Sequence, residues 1–133
     1  MILVDSSIWI DYFNGTASRE VDFLDDALGT KALGVGDIIL TEVLQGFKSD
    51  KDFSTAKSIL SDFECFDLLG STRAVGAAEK FRKLRKQGIT VRKTNDVVIA
   101  SYCIDERIPL LFSDKDFKPF VDKLNLIPAI PQS

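Results

Sequence analysis

Short apolar runs alternate with helical segments along this chain of 133 residues, and that alternation restricts the fold more than any other feature. Apolar strands joined by helices favour parallel pairing through right-handed crossovers. We therefore predict a single domain over residues 1–133, an α/β three-layer sandwich with a central, mostly parallel sheet of four or five strands and helices on both faces. The predicted strands are about 2–4, 33–35, 64–69 and 110–112, with a final extended piece at 126–130. The predicted helices are about 6–14, 17–28, 38–47, 51–62, 71–87, 95–107 and 117–124.

The composition restricts the chemistry. The chain has no His, which excludes Ser-His-Asp triads, Cys-His pairs and imidazole-bound zinc. Cys65 and Cys103 lack metal-site or redox spacing, so we interpret them as free thiols. An acid already at Asp5 is unlike a signal peptide, and no stretch approaches the roughly 18 apolar residues that span a bilayer. We expect a soluble, cytoplasmic protein with no membrane partner, whose reactive groups are carboxylates.

Two acids follow predicted strands. Asp5 ends the first apolar run, and Asp114 lies two residues past the run at 110–112. In open parallel sheets the ligand crevice lies outside the carboxyl ends of the strands. We therefore expect both side chains to enter one crevice, with an N-cap of the first helix as the alternative role for Asp5.

Two further acids interrupt apolar helix faces. At 100° per residue, Asp96 projects among Ile99, Ala100 and Cys103, where an unpaired carboxylate is unfavourable. Stabilisation by the helix dipole in the first turn is its alternative role. Glu42 lies at the border of an otherwise apolar helix, and a solvated helix flank is its alternative position.

Converging carboxylates repel one another unless a cation neutralises them. Oxygen ligands without His or Cys select hard cations such as Mg²⁺ or Mn²⁺. These ions typically act on phosphates, where they position a phosphodiester and lower the pKa of a bound water. The acids together predict a metal site for phosphodiester hydrolysis.

Four motifs occur in order along the chain: VDSS at 4–7, TEVLQGF at 41–47, RKTNDVVIA at 92–100 and LLFSDKDF at 110–117. With them the chain resembles PIN-domain ribonucleases, specifically VapC-type toxins of VapBC toxin–antitoxin pairs, over essentially its whole length. The resemblance implies a PIN-like fold and Mg²⁺-dependent endonucleolytic cleavage of RNA, with Mn²⁺ as a substitute, leaving a 5′-phosphate and a 3′-hydroxyl. It also implies a small VapB-type antitoxin whose C-terminal segment covers the site, and a toxin homodimer.

The resemblance also implies roles for particular residues. It assigns metal-binding and catalytic roles to Asp5, Glu42, Asp96 and Asp114 and adds Asp116 as a further metal ligand, with a cap of the last helix as the alternative role for Asp116. It places the hydroxyls of Ser7 and Ser113 near the substrate. Asn95 departs from the family, which often has an apolar residue there, and we expect little effect because the acid and the following VVIA are retained.

A basic segment provides a surface for RNA. Residues 71–94 contain eight Lys or Arg and one acid, a net charge of +7, whereas the rest of the chain carries −10. Helical spacing places Lys80, Arg82, Lys83 and Lys86 opposite an apolar face, and Arg92 and Lys93 lead into the helix of Asp96. The apolar face is predicted to comprise Val75, Ala77, Ala78, Phe81 and Leu84. We predict that the RNA backbone contacts Lys83, Lys86, Arg92 and Lys93; a solvated polar face is the alternative.

The string SDKDF occurs at 49–53 and again at 113–117, with unrelated flanks. The first copy follows a predicted helix end, so we interpret Ser49, Asp50 and Asp52 as cap and solvated-loop residues. The second follows a predicted strand and therefore reaches the crevice. A competing hypothesis is a non-catalytic α/β module that binds RNA or protein through 71–94, and such a module would be indifferent to Mg²⁺.

Overall fold

The computed structural model describes residues 1–30 and 32–131 and shows four strands and seven α-helices in this part of the chain. The strands are β1 (Ile2–Val4), β2 (Leu33–Gly36), β3 (Glu64–Phe66) and β4 (Leu110–Leu111). The helices are α1 (Ser6–Asn14), α2 (Arg19–Thr30), α3 (Asp37–Gln45), α4 (Asp50–Leu60), α5 (Ser71–Lys86), α6 (Thr94–Glu106) and α7 (Lys118–Leu124), with a 3₁₀ turn at Lys115–Phe117.

All strand pairs are parallel, in the order β3-β2-β1-β4. Leu3 of β1 pairs with Gly34 on one side and Leu110 on the other, so β1 lies inside the sheet. The predicted final extended piece adds a single parallel bridge between Pro128 and Leu110, with the Ala129 N–H donating to the Leu110 carbonyl at 2.9 Å. The predicted fold class, a parallel-sheet α/β sandwich, is confirmed.

The helices form two packed groups. Helix α1 packs against α2 and α3, and α3 against α4, while α5 packs against α6 and α7. Helix α6 is the most enclosed, because every residue from 96 to 103 is buried. Burial is expected for an apolar side chain such as Ile99, which is fully buried. The burial of the charged Asp96 on the same helix requires another explanation.

Strand β3 ends three residues before the predicted boundary of 69. The Leu68 N–H donates to Asp37 Oδ1 at 3.0 Å instead of to a neighbouring strand. The Leu68 side chain lies directly over Gly36, where a Cβ would collide with it. The hydrogen bond to Asp37 and the packing of Leu68 on Gly36 thus direct the chain out of the sheet.

Two smaller features of the chain bear on the predictions. Cys65 is exposed and Cys103 is buried, and neither forms a disulfide, as predicted. Across residues 1–30 and 32–131, no helix has the length and apolar character needed to cross a membrane.

Candidate metal centre

Asp5 follows β1 directly, so its carboxylate lies at the carboxyl end of the sheet. Its N–H donates to the Leu111 carbonyl at 2.9 Å, which holds the ends of β1 and β4 together. The Ser7 hydroxyl donates to Asp5 Oδ2 at 2.8 Å, while Oδ1 is buried without a hydrogen-bond partner among the described residues. Burial raises the pKa of Asp5, and the hydrogen bond from Ser7 opposes the shift. Asp5 occupies the N-cap position of α1 but makes no capping bond with its side chain, so capping does not account for this carboxylate.

Asp96 lies in the first turn of α6 and is only 6% exposed. Its Oδ2 atom is buried and has no hydrogen-bond partner within the described part of the chain. Burial, followed by the negative charge of Asp5, raises the pKa of Asp96 to about 7, although the ammonium of Lys93 opposes the shift. One oxygen of this carboxylate can therefore still accept a ligand, and a positive charge beside it would stabilise the ionised form.

Asp114 and Asp116 come together through a tight turn after β4. Asp114 Oδ1 accepts the Asp116 N–H at 2.9 Å and caps the 3₁₀ turn. One carboxylate oxygen from each of Asp96, Asp114 and Asp116 lies within 4.8 Å of the others. This group of three acids spans the carboxyl end of β4 and the first turn of α6.

Asp5 and Glu42 lie outside that 4.8 Å group but adjoin it electrostatically. The charge of each raises the pKa of Asp96. Glu42 Oε1 is buried and lacks a hydrogen-bond partner among residues 1–30 and 32–131. Among the described residues, the candidate metal ligands that converge here are carboxylate oxygens, several of them unpartnered, and that donor set fits a hard divalent cation such as Mg²⁺ or Mn²⁺.

Two cations lie on the acidic group. Arg92 Nη2 is 3.3 Å from Asp116 Oδ2, and Lys93 Nζ is 3.6 Å from Asp114 Oδ2. The expected adjacency of Arg92 and Lys93 to the acids is therefore observed. The specific ion pairs of these two cations with Asp116 and Asp114 were not predicted, because pairing between segments that are distant in the chain leaves no local signal in the sequence.

The other residues predicted to bind substrate lie at varied positions. Ser7 contacts Asp5 as described, and Ser113 is exposed directly before Asp114. Lys83 lies beside α7, where it lines a cleft with Lys123, while Lys86 is exposed at the end of α5. Their contact with RNA stays a prediction.

The predicted apolar face of α5 is only partly buried. Leu84 is fully buried, but Val75, on the same predicted face, is 61% exposed. Lys80, expected on the basic face, pairs with Asp105 at 2.8 Å. Ala77, Ala78 and Phe81 of the predicted apolar face line an apolar groove of about 430 Å³ between α5 and α6, which reaches Thr94 at the start of α6. Lys93 occupies the N-cap position of α6 and makes no side-chain capping bond.

Fold and site together define a class: a parallel α/β domain with a carboxylate centre suited to a divalent cation. The PIN-domain profile matches residues 2–122, and the chain belongs to the PIN-domain family. A VapC ribonuclease from Mycobacterium bovis and ribonuclease VapC11 from Mycobacterium tuberculosis are each 28% identical over 128 residues, covering 95% of this chain and 96% of the relative. The resemblance to VapC-type proteins predicted from the motifs is confirmed.

Solved structures support the fold. The VapBC2 complex from Rickettsia felis bound to a promoter DNA fragment contains a chain with a TM-score of 0.75 and 23% identity, covering 96% of this chain and 97% of that one. A toxin–antitoxin complex from Klebsiella pneumoniae gives a TM-score of 0.66 and 22% identity, with 96% of each chain covered. The shared architecture extends over nearly the whole chain.

Proposed function

We propose that the protein is a Mg²⁺-dependent endoribonuclease that acts in the cytoplasm as the toxin of a type II toxin–antitoxin pair. The observation that carries the proposal is the group formed by Asp96, Asp114 and Asp116 at the carboxyl end of a PIN-domain sheet. Relatives that cover the same length are named ribonucleases, which favours RNA over other phosphodiesters as the substrate.

In this proposal Asp5, Glu42, Asp96 and Asp114 hold the metal and are the catalytic acids, and Asp116 is a further ligand. When bound, Mg²⁺ supplies Lewis-acid stabilisation of the phosphate and a water of lowered pKa, with Mn²⁺ as a substitute. The unpartnered oxygens of Asp5, Glu42 and Asp96 support this assignment, because burying such atoms without a ligand is costly.

The acids also control protons. Asp96, with a pKa of about 7, carries a proton in a large share of metal-free molecules at neutral pH. A carboxylate must be ionised to ligate a metal, so loading the site releases that proton. The hydrogen bond from Ser7 fixes the orientation of Asp5, which keeps one oxygen directed away from Ser7 and free to ligate.

RNA approaches along the basic segment. Arg92 and Lys93 pair with two of the acids, and Lys83 and Lys86 lie in the last turn of α5. These four cations would hold the phosphate backbone, and the hydroxyls of Ser7 and Ser113 would lie beside the scissile phosphate. The rest of the chain carries a net charge of −10, so the basic segment is the more favourable route for a polyanion.

The proposed partners are a small VapB-type antitoxin and a second copy of the toxin. Two structural neighbours are toxin–antitoxin complexes, which supports an antitoxin partner, and we propose that the C-terminal segment of this antitoxin covers the site. The partly apolar groove beside Thr94 offers surface for such a segment. Growth arrest on expression of this chain should be relieved by co-expressing the small reading frame next to its gene, and persistent arrest would contradict that pairing.

The test of the reaction compares purified wild type with Asp5→Asn and Asp96→Asn on a structured RNA in Mg²⁺. Because both acids hold the ion, each substitution should lower the cleavage rate by at least about 10²-fold. Circular dichroism establishes that the variants are folded. Folded variants that cleave at the wild-type rate would refute the assignment of these two acids, whereas wild type that binds the RNA but does not cleave it in Mg²⁺ would favour the non-catalytic binding module.

A further inference from the structure

Arg92 and Lys93 are adjacent, exposed cations that reach onto two different acids of the metal centre. Arg92 Nη2 lies 3.3 and 3.4 Å from the two carboxylate oxygens of Asp116, and the Arg92 side chain is 77% exposed. Lys93 Nζ lies 3.6 Å from Asp114 Oδ2, and its side chain is 60% exposed. Both cations are anchored only at their charged ends, directly before α6.

These ion pairs use the same acids that the metal would use. Asp114 and Asp116 each contribute an oxygen to the 4.8 Å group with Asp96. A divalent cation at that point would place two like-charged side chains within a few ångströms of it, where repulsion is strong. The metal and the two side chains therefore compete for the carboxylates.

We propose that Arg92 and Lys93 are the resident counter-ions of the metal-free centre and that a divalent ion displaces them, which frees them to bind RNA phosphates. The inference rests on the proposed function and adds that the binding of the metal ion and the binding of RNA are coupled. Exposed ion pairs contribute little to stability, so breaking both costs the fold little. The freed side chains remain tethered to the start of α6 and are thus beside the centre when RNA arrives.

Thermodynamic linkage makes this coupling reciprocal. If metal binding releases cations for RNA, then RNA binding that holds those cations must tighten metal binding by the same factor. Removing either cation should therefore have opposite effects on the two ligands: tighter metal binding and weaker RNA binding. A side chain that merely supports the fold would not produce effects of opposite sign.

The first experiment titrates Mn²⁺ by calorimetry into wild type, Arg92→Gln and Lys93→Gln. Each substitution should tighten Mn²⁺ binding by about two- to fivefold, the range that loss of an exposed ion pair allows. Arg19→Gln is the matched control, since Arg19 forms an exposed 3.6 Å pair with Glu20 and is 65% exposed. The control should bind Mn²⁺ like wild type. Equal or weaker binding by both site variants would overturn the inference.

A double-mutant cycle separates direct competition from a general change in charge. In an Asp116→Asn background the partner of Arg92 is removed, so Arg92→Gln should no longer tighten Mn²⁺ binding. A gain of the same size in both backgrounds would show that Arg92 acts through space, and would contradict displacement.

The second readout is RNA cleavage at saturating Mn²⁺. Arg92→Gln should raise KM for RNA by several-fold while kcat changes less, because the freed cation binds substrate. An unchanged KM alongside tighter Mn²⁺ binding would contradict the coupling. If no variant and no wild-type protein binds Mn²⁺, the proposed metal centre itself fails; if all bind equally, only the displacement fails.

Discussion

At the scale of single residues, two identical strings show that neighbours decide the role of an acid. In the first SDKDF, Ser49 Oγ accepts the Asp52 N–H at 3.1 Å and caps α4, and Asp50 is exposed, as the sequence analysis predicted. In the second, Asp114 takes over the capping role and also joins the acidic group. The sequence could assign the second copy to the crevice because an apolar strand precedes it, but it contained no sign that one acid would both cap and cluster.

A matched pair of substitutions tests this difference. Asp114→Asn should lower RNA cleavage by at least about 10²-fold, because Asn still caps a turn but supplies no anionic ligand. Asp50→Asn, at the same place in the first copy, should leave cleavage near wild type. Initial rates in Mg²⁺ measure both, and equal losses would contradict the role assigned to Asp114.

Asp96 makes the stability of the metal-free protein depend on pH. Its pKa is raised from its ordinary value of 3.8 to about 7 in the folded state, so the folded state binds the proton more tightly than the unfolded chain. The stabilisation is complete below the unfolded pKa and is lost as pH rises through about 7. Thermal melts in EDTA should therefore show wild type losing stability between pH 5.5 and 8 on the order of 1 kcal/mol or more through this group.

Asp96→Asn removes that titration and is the control for the pH experiment. The variant should be less sensitive to pH across the same range and more stable than wild type above pH 7 in EDTA. Identical pH profiles for the two proteins would show that Asp96 titrates near its ordinary pKa.

At the scale of elements, the apolar periodicity predicted the four strands and seven α-helices of the described residues, and the differences lie at their ends. The prediction extended β3 to residue 69, but a long-range bond from Leu68 to Asp37 ends it at Phe66. Helical spacing placed Val75 on the apolar face of α5, but spacing alone cannot show that Val75 stays 61% exposed there. Local patterns therefore identify elements, whereas contacts between distant residues set their limits.

Two glycine-to-alanine substitutions test the packing of the elements, and they should change the free energy of unfolding in opposite directions. Gly36→Ala places a methyl group against Leu68 and should destabilise the protein by about 1–3 kcal/mol. Gly29→Ala, in exposed helix α2 with no neighbouring atom within 4 Å of the added Cβ, should stabilise it by about 0.4–1 kcal/mol. Urea unfolding measures both, and destabilisation by Gly29→Ala together with a neutral Gly36→Ala would contradict the packing described.

At the scale of the whole molecule, positive and negative charges are concentrated in different parts of the chain. The segment 71–94 carries +7 and the rest of the chain −10, and the fold brings part of that segment onto the acidic centre. Alternating elements sufficed to predict a parallel sheet, and the four motifs sufficed to predict the family. Strand order β3-β2-β1-β4 was beyond the sequence, since crossover direction depends on how the helices pack in three dimensions.

Metal binding should stabilise the whole domain. Mn²⁺ at about 100 times its Kd adds about 2.7 kcal/mol to the free energy of unfolding and raises Tm by several degrees. Asp96→Asn should reduce that increase sharply. Differential scanning calorimetry at several Mn²⁺ concentrations measures the effect, and an unchanged wild-type Tm at millimolar Mn²⁺ would contradict a preformed centre.

The most direct test of the central claim is the rate at which purified wild-type protein cleaves a structured RNA as Mg²⁺ is titrated after treatment with EDTA. The carboxylate centre predicts no cleavage in EDTA and a saturable return of activity as Mg²⁺ is restored, with products that carry 5′-phosphates. Cleavage that continues undiminished in EDTA would contradict it.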